Sequence, residues 1–211
     1  MFFKDRLEAG HMLGARLIKY KGDPGVVLAV PRGGVPVAYE VAKELDFPLE
    51  VILTKKIGHP LNKEYAIGAA SLTDYFVIPH ENVSDEYVKK EVEKIRQKLK
   101  DMYVKFMGDK EPESLTNKTV LVIDDGIATG NTLLATVNVL RKSKPAKIVI
   151  AVPVASARAL TKLSMEVDEV VAVYVPENFQ GVGAFYDDFD QVTDEEVLFY
   201  LNKFRELGKS A

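Results

Sequence analysis

Two adjacent acids follow an apolar run near the middle of the chain. Asp124 and Asp125 stand directly after Thr119–Ile123, and Gly126 follows them. Successive strand residues point to opposite faces, so both carboxylates can contact one ligand only if the backbone turns there, which a glycine permits. Ionised carboxylates side by side repel each other unless they accept hydrogen bonds or lie near a cation. Neighbouring hydroxyls of a sugar would supply such bonds, so the pair predicts a diol clamp.

The residues after this pair suit a phosphate group. They are small or hydroxylated and lead into a helix: Ala128, Thr129, Gly130, Asn131 and Thr132. The free N–H groups and the dipole of a helix amino terminus favour an anion. Asx-Gly turns and Thr caps also occur in α/β proteins without a ligand, so this loop alone leaves both interpretations open. No GxxxxGK[ST] or GxGxxG pattern occurs, which argues against a P-loop or a dinucleotide site.

Five apolar runs predict strands that are covered on both faces, because such strands lose the alternation of half-exposed ones. They are Val26–Val30, Val51–Thr54, Thr119–Ile123, Lys147–Val154 and Glu169–Val175. Segments with helical period lie between most of them, namely Val35–Leu45, Asn131–Arg141 and Ser156–Leu163. Parallel neighbours need such crossovers. The pattern predicts an α/β fold with a doubly wound, mostly parallel five-stranded sheet, in which ligands bind beyond the carboxyl ends of the strands.

Other segments depart from this alternation. Residues 84–107 are predicted to form a long helical insertion whose charges indicate a solvated face, and Ala66–His80 predicts a hairpin laid over the core. The glycine- and aromatic-rich residues 176–190 predict a small hood built with the chain ends, and a helix over Asp194–Leu207 follows. No repeat or interdomain linker is evident, so residues 1–211 are predicted to form a single domain.

Composition excludes several classes of function. The chain has 211 residues, 47% of them hydrophobic, with 28 Lys and Arg against 31 Asp and Glu, a formal net charge of −3. This balance gives no electrostatic footprint for nucleic acid. The absence of cysteine excludes disulfides, thiolate zinc sites and cysteine nucleophiles. No run approaches the roughly 18 apolar residues of a membrane span. We therefore expect a soluble, cytoplasmic protein with no membrane partner.

The string VLVIDDGIATGNT resembles the signature of the type I phosphoribosyltransferases, which bind phosphoribosyl diphosphate. The resemblance implies that Asp124 and Asp125 bind the ribose hydroxyls and contact Mg²⁺ through water. It implies also that residues 128–132 surround the 5′-phosphate and that Gly126 belongs to the substrate-binding residues. Dimers are common in that family, so a homodimer is a further expectation.

A second match lies after the first predicted strand. Pro31-Arg32-Gly33-Gly34 is similar to the family's diphosphate loop. The glycines allow the backbone to approach a bulky charged group, and Arg32 offers a planar fork of donors. An ordinary strand-to-helix turn is the alternative for this loop alone. The resemblance implies a strained or cis peptide near Arg32-Gly33.

Two lysines follow the second predicted strand, where family members place basic residues near the diphosphate. Lys55 and Lys56 are either such contacts or solvated side chains. The next stretch resembles a subgroup of phosphoribosyltransferases whose acceptor is unknown. The resemblance implies a mobile lid that excludes water, formed by Gly58, His59, Pro60 and Asn62.

The acceptor is less well defined. Phe179 lies in a segment loosely similar to the hood of hypoxanthine-guanine enzymes, in which an aromatic ring stacks on the purine. The alternative is that Phe179 belongs to a small hydrophobic core under a loop, together with Phe185, Tyr186 and Phe189. Ala128 stands where those enzymes carry an acid and resembles instead the adenine and uracil types.

The resemblance thus implies an enzyme that transfers the 5-phosphoribosyl group to a nitrogenous base or amine and releases diphosphate. Asp124, Asp125 and Arg32 are its candidate catalytic residues, and Mg²⁺ is its expected cofactor. A non-catalytic regulator of the same fold, which binds phosphoribosyl diphosphate or a nucleotide, is the alternative.

Overall fold

Strands alternate with helices along most of the chain, as the sequence predicts. The computed structural model describes residues 3–80 and 83–209. The strands of this part are β1 (Gly25–Ala29), β2 (Leu49–Val51), β3 (Lys55–His59), β4 (Asn62–Ala70), β5 (Tyr75–Val77), β6 (Thr119–Ile123), β7 (Lys147–Val154) and β8 (Glu169–Tyr174). Its helices are α1 (Arg6–Leu17), α2 (Gly34–Leu45), α3 (Asp85–Met107), α4 (Asn131–Leu140), α5 (Ala157–Ser164) and α6 (Asp194–Lys209).

Within the described residues, a parallel five-stranded sheet has the strand order β2-β1-β6-β7-β8. Alternate strand residues enter different layers: Val27 packs in a cluster with α1, α2, α3 and α6, and Val26 packs in a cluster with α4 and α5. Both faces are therefore covered, which confirms the doubly wound fold class. Ala29 pairs with Ile123, so β1 and β6 end at the same level and bring the loops after them together.

The second strand lies earlier than predicted. The prediction of Val51–Thr54 is wrong in position, because β2 covers Leu49–Val51. In the described part of the chain, β2 is an edge strand that pairs only with β1, and the amide of Ile52 donates the last bond, to the carbonyl of Ala29. No described strand continues the pairing beyond the end of β1, so the apolar residues after β2 leave the sheet.

A second, antiparallel sheet in the described part joins β3, β4 and β5. The predicted hairpin over Ala66–His80 corresponds to β4 and β5, whereas β3 was not predicted and pairs with β4. The helix predicted over 84–107 is confirmed as α3, with Ser84 as its N-cap accepting a bond from the amide of Tyr87. None of the helices in the described ranges is both long and apolar enough to cross a membrane.

The predicted hood, residues 176–190, pairs with the amino-terminal segment. The amide of Phe3 donates to the carbonyl of Phe185 at 2.8 Å, and the amide of Asp187 returns a bond to Phe3. Phe3, Phe185 and Tyr186 are buried there in a small apolar cluster. These contacts place the beginning of α1 beside the carboxyl end of β6.

Close packing of α2 on β6 requires a glycine at the first position of the helix. A Cβ at Gly34 would lie 2.6 Å from the carbonyl oxygen of Ile123 and 2.9 Å from the Cα of Asp124. Both atoms belong to the backbone, so neither can move without displacing the strand end. Gly34 therefore sets the spacing between the 31–34 loop and the acidic pair, Asp124 and Asp125.

We expect Gly34→Ala to lower the free energy of unfolding by about 1–3 kcal/mol, the usual cost of overpacking. Urea denaturation, monitored by circular dichroism, measures this change. Gly208→Ala is the matched control, because a Cβ there meets nothing within 4 Å and the residue lies in α6. Equal stability of Gly34→Ala and the wild type would contradict the assigned role.

Candidate active site

The candidate site residues lie mainly in the loops that follow β1 and β6. The peptide bond between Pro31 and Arg32 is cis, one bond before the position expected from the sequence. A Cβ at Gly33 would lie 2.0 Å from Oδ2 of Asp125, so this glycine lets the 31–34 loop contact the acidic pair. The structure thus brings together the two motifs identified in the sequence.

The acidic pair occupies a half-buried turn. Oδ1 of Asp124 accepts a hydrogen bond from the amide of Asp125 at 2.9 Å. The hydroxyl of Tyr186 donates to the carbonyl oxygen of Asp125 at 2.6 Å, so the hood fixes the backbone of the turn. At Gly126, a Cβ would lie 2.5 Å from Cγ1 of Val182, which explains the glycine after the pair.

Arg6, the first residue of α1, was not identified from the sequence. Its Nε lies 2.9 Å from Oδ2 of Asp125, and only 11% of the Arg6 side chain and 15% of the Asp125 side chain are exposed. Its Nη1 donates to the carbonyl oxygen of Asp190 at 2.9 Å. The guanidinium carbon lies 3.9 Å from the centre of the Phe189 ring, a cation–π contact. Arg6 therefore holds the acidic pair and the hood together.

The two carboxyl groups of the pair differ in their surroundings. Burial, followed by the charge of Asp125, raises the pKa of Asp124 well above its usual range. Burial also raises the pKa of Asp125, but the Arg6 guanidinium beside it opposes this effect. Asp124 is therefore the member that gains most from a ligand or cation that stabilises its ionised form.

The 128–132 loop lies open to solvent beside the pair. Hydrogen bonds from Ile127 to Val154 and from Ser156 to Ile127 fasten its start to the end of β7. Gly130 then takes a left-handed conformation, with φ of 73°, and α4 begins after it. Four residues of the loop are exposed: Ala128, Thr129, Asn131 and Thr132. An anion can therefore reach the first amides of α4, as the sequence predicts.

Arg32 and Lys55 border a common cavity of about 730 Å³, which also contacts Thr54 and Thr132. Lys56 is exposed on β3 and is not among the residues that border this cavity. The residues predicted to form a lid lie at the turn between β3 and β4. Tyr87 of α3 donates from its hydroxyl to the carbonyl oxygen of Gly58 at 2.6 Å, so this hairpin rests on α3.

The sequence model of the phosphoribosyl transferase domain family matches residues 6–189. The chain belongs to this family. A protein of Mycobacterium tuberculosis strain H37Rv, provisionally named a phosphoribosyl transferase, is 35% identical over 210 residues, or 95% of this chain. That alignment covers 46% of the mycobacterial protein, so the chain spans about half the length of the curated relatives it matches.

Solved structures share the fold of this chain. The crystal structure of TT1426 from Thermus thermophilus is 37% identical and has a TM-score of 0.84, covering 97% of this chain and 99% of that chain. AQ2163 from Aquifex aeolicus is 15% identical, with a TM-score of 0.51 over 84% of this chain and 78% of that chain, which shows a common fold.

In this phosphoribosyl transferase domain, Phe179 lies in the apolar cluster of the hood. Its ring stacks on Phe185, with centroids 5.7 Å apart and planes 28° apart. The side chain is half-buried, so part of the ring is accessible. The structure thus gives Phe179 a packing role, and its contact with an acceptor stays a prediction.

Magnesium was expected at the acidic pair. Within residues 3–80 and 83–209, no group of three or more His, Cys, Asp or Glu side chains is placed to hold a metal ion. Magnesium commonly uses one or two protein carboxylates and completes its coordination with water and substrate phosphates. Asp124 and Asp125 offer oxygen donors of this kind. The residues therefore fit an ion shared with a phosphorylated ligand better than one held by the protein alone.

The ion pair between Arg6 and Asp125 should contribute measurably to the stability of this phosphoribosyl transferase domain. We expect Arg6→Gln to lower the free energy of unfolding by about 2–3 kcal/mol, because it leaves a largely buried carboxylate without its charged partner. In Arg6→Gln with Asp125→Asn the loss should be smaller than the sum of the two single losses. Urea denaturation of the four proteins gives this coupling, and simple additivity would contradict the pairing.

The raised pKa of Asp124 predicts how stability depends on pH. The folded protein binds this proton more tightly than the unfolded chain, so stability is lost as the pH rises through the raised pKa. Asn cannot ionise and keeps the acceptor atom. We expect Asp124→Asn to be more stable than the wild type at pH 8, and the advantage to shrink toward pH 4. Each unit by which the pKa in the folded protein exceeds that in the unfolded chain corresponds to about 1.4 kcal/mol in the free energy of unfolding. Urea titrations at several pH values measure this difference, and a pH-independent difference would contradict the assignment.

Proposed function

We propose that the chain binds 5-phosphoribosyl diphosphate and transfers its phosphoribosyl group to a nitrogen atom of a base or an amine, with release of diphosphate. One observation carries the proposal: the acidic pair lies at one strand end between the exposed 128–132 loop and the 31–34 loop, in a chain of the phosphoribosyl transferase domain family. Each of these three groups matches a different part of the ligand.

The ribose end of the ligand fits the loop after β6. The amides at the start of α4 would bind the 5′-phosphate, because they have no partners inside the helix and the helix dipole favours an anion. Asp124 and Asp125 would accept hydrogen bonds from the vicinal hydroxyls. Those bonds, which involve charged acceptors, compensate the mutual repulsion of the two carboxylates.

The diphosphate end fits the loop after β1. Arg32 would donate to the diphosphate oxygens, and the glycines of the 31–34 loop allow the backbone to approach them. Lys55 borders the same cavity and adds a second cation. Magnesium, held by Asp124 and Asp125 through water, would supply further positive charge against the departing diphosphate.

In the reaction, the bond between the anomeric carbon and the diphosphate oxygen breaks, and a bond from that carbon to the acceptor nitrogen forms. The diphosphate leaves with the electron pair, and the acceptor nitrogen loses its proton to solvent. The protein contributes by holding the sugar at both ends and by stabilising charge on the leaving group. Ala128 provides no acid for the acceptor ring, so the base or amine is recognised by other residues.

The hairpin of β3 and β4 would limit access of water to the anomeric carbon. It begins at Lys55, beside the cavity, and its turn carries the residues expected to form a lid. Closure of such a segment prevents hydrolysis in place of transfer. Its movement is part of the proposal.

Calorimetric titration with phosphoribosyl diphosphate in magnesium buffer tests the binding. We expect Asp125→Asn to weaken binding by about 10- to 100-fold, the effect of losing hydrogen bonds to a charged group. Asp23→Asn is the control. Asp23 is exposed and precedes β1, so it lies at the amino ends of the strands, away from the acidic pair at their carboxyl ends. Equal affinities of Asp125→Asn and the wild type would exclude the clamp.

Turnover separates an enzyme from a binding protein. A panel of purine and pyrimidine bases and of amines is supplied with the ligand and magnesium, and released diphosphate is measured. Diphosphate release with at least one acceptor, abolished by Arg32→Ala in a folded protein, supports catalysis. Tight binding without release for every acceptor supports a regulator.

A further inference from the structure

One stripe of α3 faces the candidate site. Lys98, Met102 and Lys105 are spaced four and three residues apart, so they lie on one side of the helix. All three border the 730 Å³ cavity. The other residues that border the cavity include Arg32 and Lys55, which the proposed function assigns to the diphosphate. The charged stripe is thus a wall of the site, although the sequence predicted a merely solvated face.

The cavity carries an excess of positive charge. Its bordering residues include four cations and two acids: Arg32, Lys55, Lys98 and Lys105 against Asp101 and Asp194. The cations come from three separate segments of the chain. An arrangement of this kind attracts an anion with several charges.

Asp194 connects two of these cations. Its Oδ1 lies 2.7 Å from Nε of Arg32, and its Oδ2 lies 2.5 Å from Nζ of Lys105. Bonds from Lys105 and Arg32 lower the pKa of the Asp194 carboxyl. Two cations that hold separate oxygens of one carboxylate are already positioned for another anion with several oxygens.

The N-cap of α6 is Thr193 and not this carboxylate. Thr193 caps α6: its hydroxyl accepts from the amide of Glu196, and the Glu196 carboxylate accepts from the amide of Thr193. The Arg32 side chain is 46% exposed and the Lys105 side chain 49%. The Asp194 side chain is 25% exposed. Exposed ion pairs are weak and exchange readily. A more highly charged anion can therefore replace the carboxylate.

We propose that Lys105 is an additional ligand-binding residue of this site and that Asp194 occupies Arg32 and Lys105 until a diphosphate group displaces it. This inference rests on the proposed function for the position of the diphosphate. α3 then completes the anion site together with the 31–34 loop. Asp194 is an internal competitor, which lowers the affinity for the ligand and for the diphosphate product alike.

Calorimetric titration with inorganic diphosphate tests both parts. Lys105→Gln should weaken binding by about tenfold, and Lys105→Arg should restore most of it, because both depend on a charge-assisted bond. Asp194→Asn should strengthen binding by about three- to tenfold, because it removes the competing charge. Lys94→Gln is the control, because Lys94 is an exposed lysine of α3 that does not border the cavity. The Lys94→Gln variant should bind diphosphate with the affinity of the wild type. Thermal melts establish that every variant is folded.

Several outcomes would overturn the inference. Unchanged affinity in Lys105→Gln excludes Lys105, unchanged or lower affinity in Asp194→Asn excludes the competition, and no diphosphate binding by wild type and Asp194→Asn excludes both. Failure of the proposed function is distinguishable. In that case diphosphate binding depends on Lys105 and Asp194 as expected, but phosphoribosyl diphosphate binds no more tightly than diphosphate and Asp125→Asn has no effect. Conversely, Asp125-dependent binding of the full ligand with no effect of Lys105→Gln retains the proposed function alone.

Discussion

Two carboxylates in a half-buried turn are the constraint around which this site is built. Only 15% of the Asp125 side chain is exposed, and burial together with the charge of Asp125 disfavours ionisation of Asp124. The fold compensates with the Arg6 guanidinium and the backbone amide inside the pair, while the Tyr186 hydroxyl holds the turn through the carbonyl oxygen of Asp125. The remaining negative charge would be stabilised by a sugar diol and by a cation shared with phosphates, the ligands of the proposed function.

The sequence predicted those elements whose local pattern has one structural solution. Thr119–Ile123 and Lys147–Val154 form strands with the predicted bounds, because both are buried on two faces. α1 was not predicted, and its glycines explain why. Gly10 has poor helix propensity, yet a Cβ there would lie 2.7 Å from the carbonyl oxygen of Val37 in α2. The close contact between α1 and α2 therefore requires Gly10, and the same glycine weakens the helical pattern of α1 in the sequence.

The residues of the candidate site also fall into those that a local sequence pattern identifies and those that it does not. The 31–34 loop, the acidic pair and the 128–132 loop are contiguous motifs, so residue types and spacing identify them. Arg6 pairs with a residue 119 positions away, and no local pattern distinguishes it from other surface arginines. Lys105 and Asp194 are 89 positions apart, in two helices that read as ordinary charged helices. Residues of this kind are recognised only when tertiary packing brings them together.

The pairing of residues 3 and 4 with 185–188 also bears on how the protein is made. During synthesis the strand partners in the central sheet emerge in order, and each can pair with a neighbour already present. Phe3 leaves the ribosome early but has its backbone partner 182 positions later, in Phe185. Contacts of such high sequence separation are slow to form. The Arg6 guanidinium contacts Asp190 and Phe189 of the hood as well as Asp125, so its full set of contacts can form only after the hood has been synthesised.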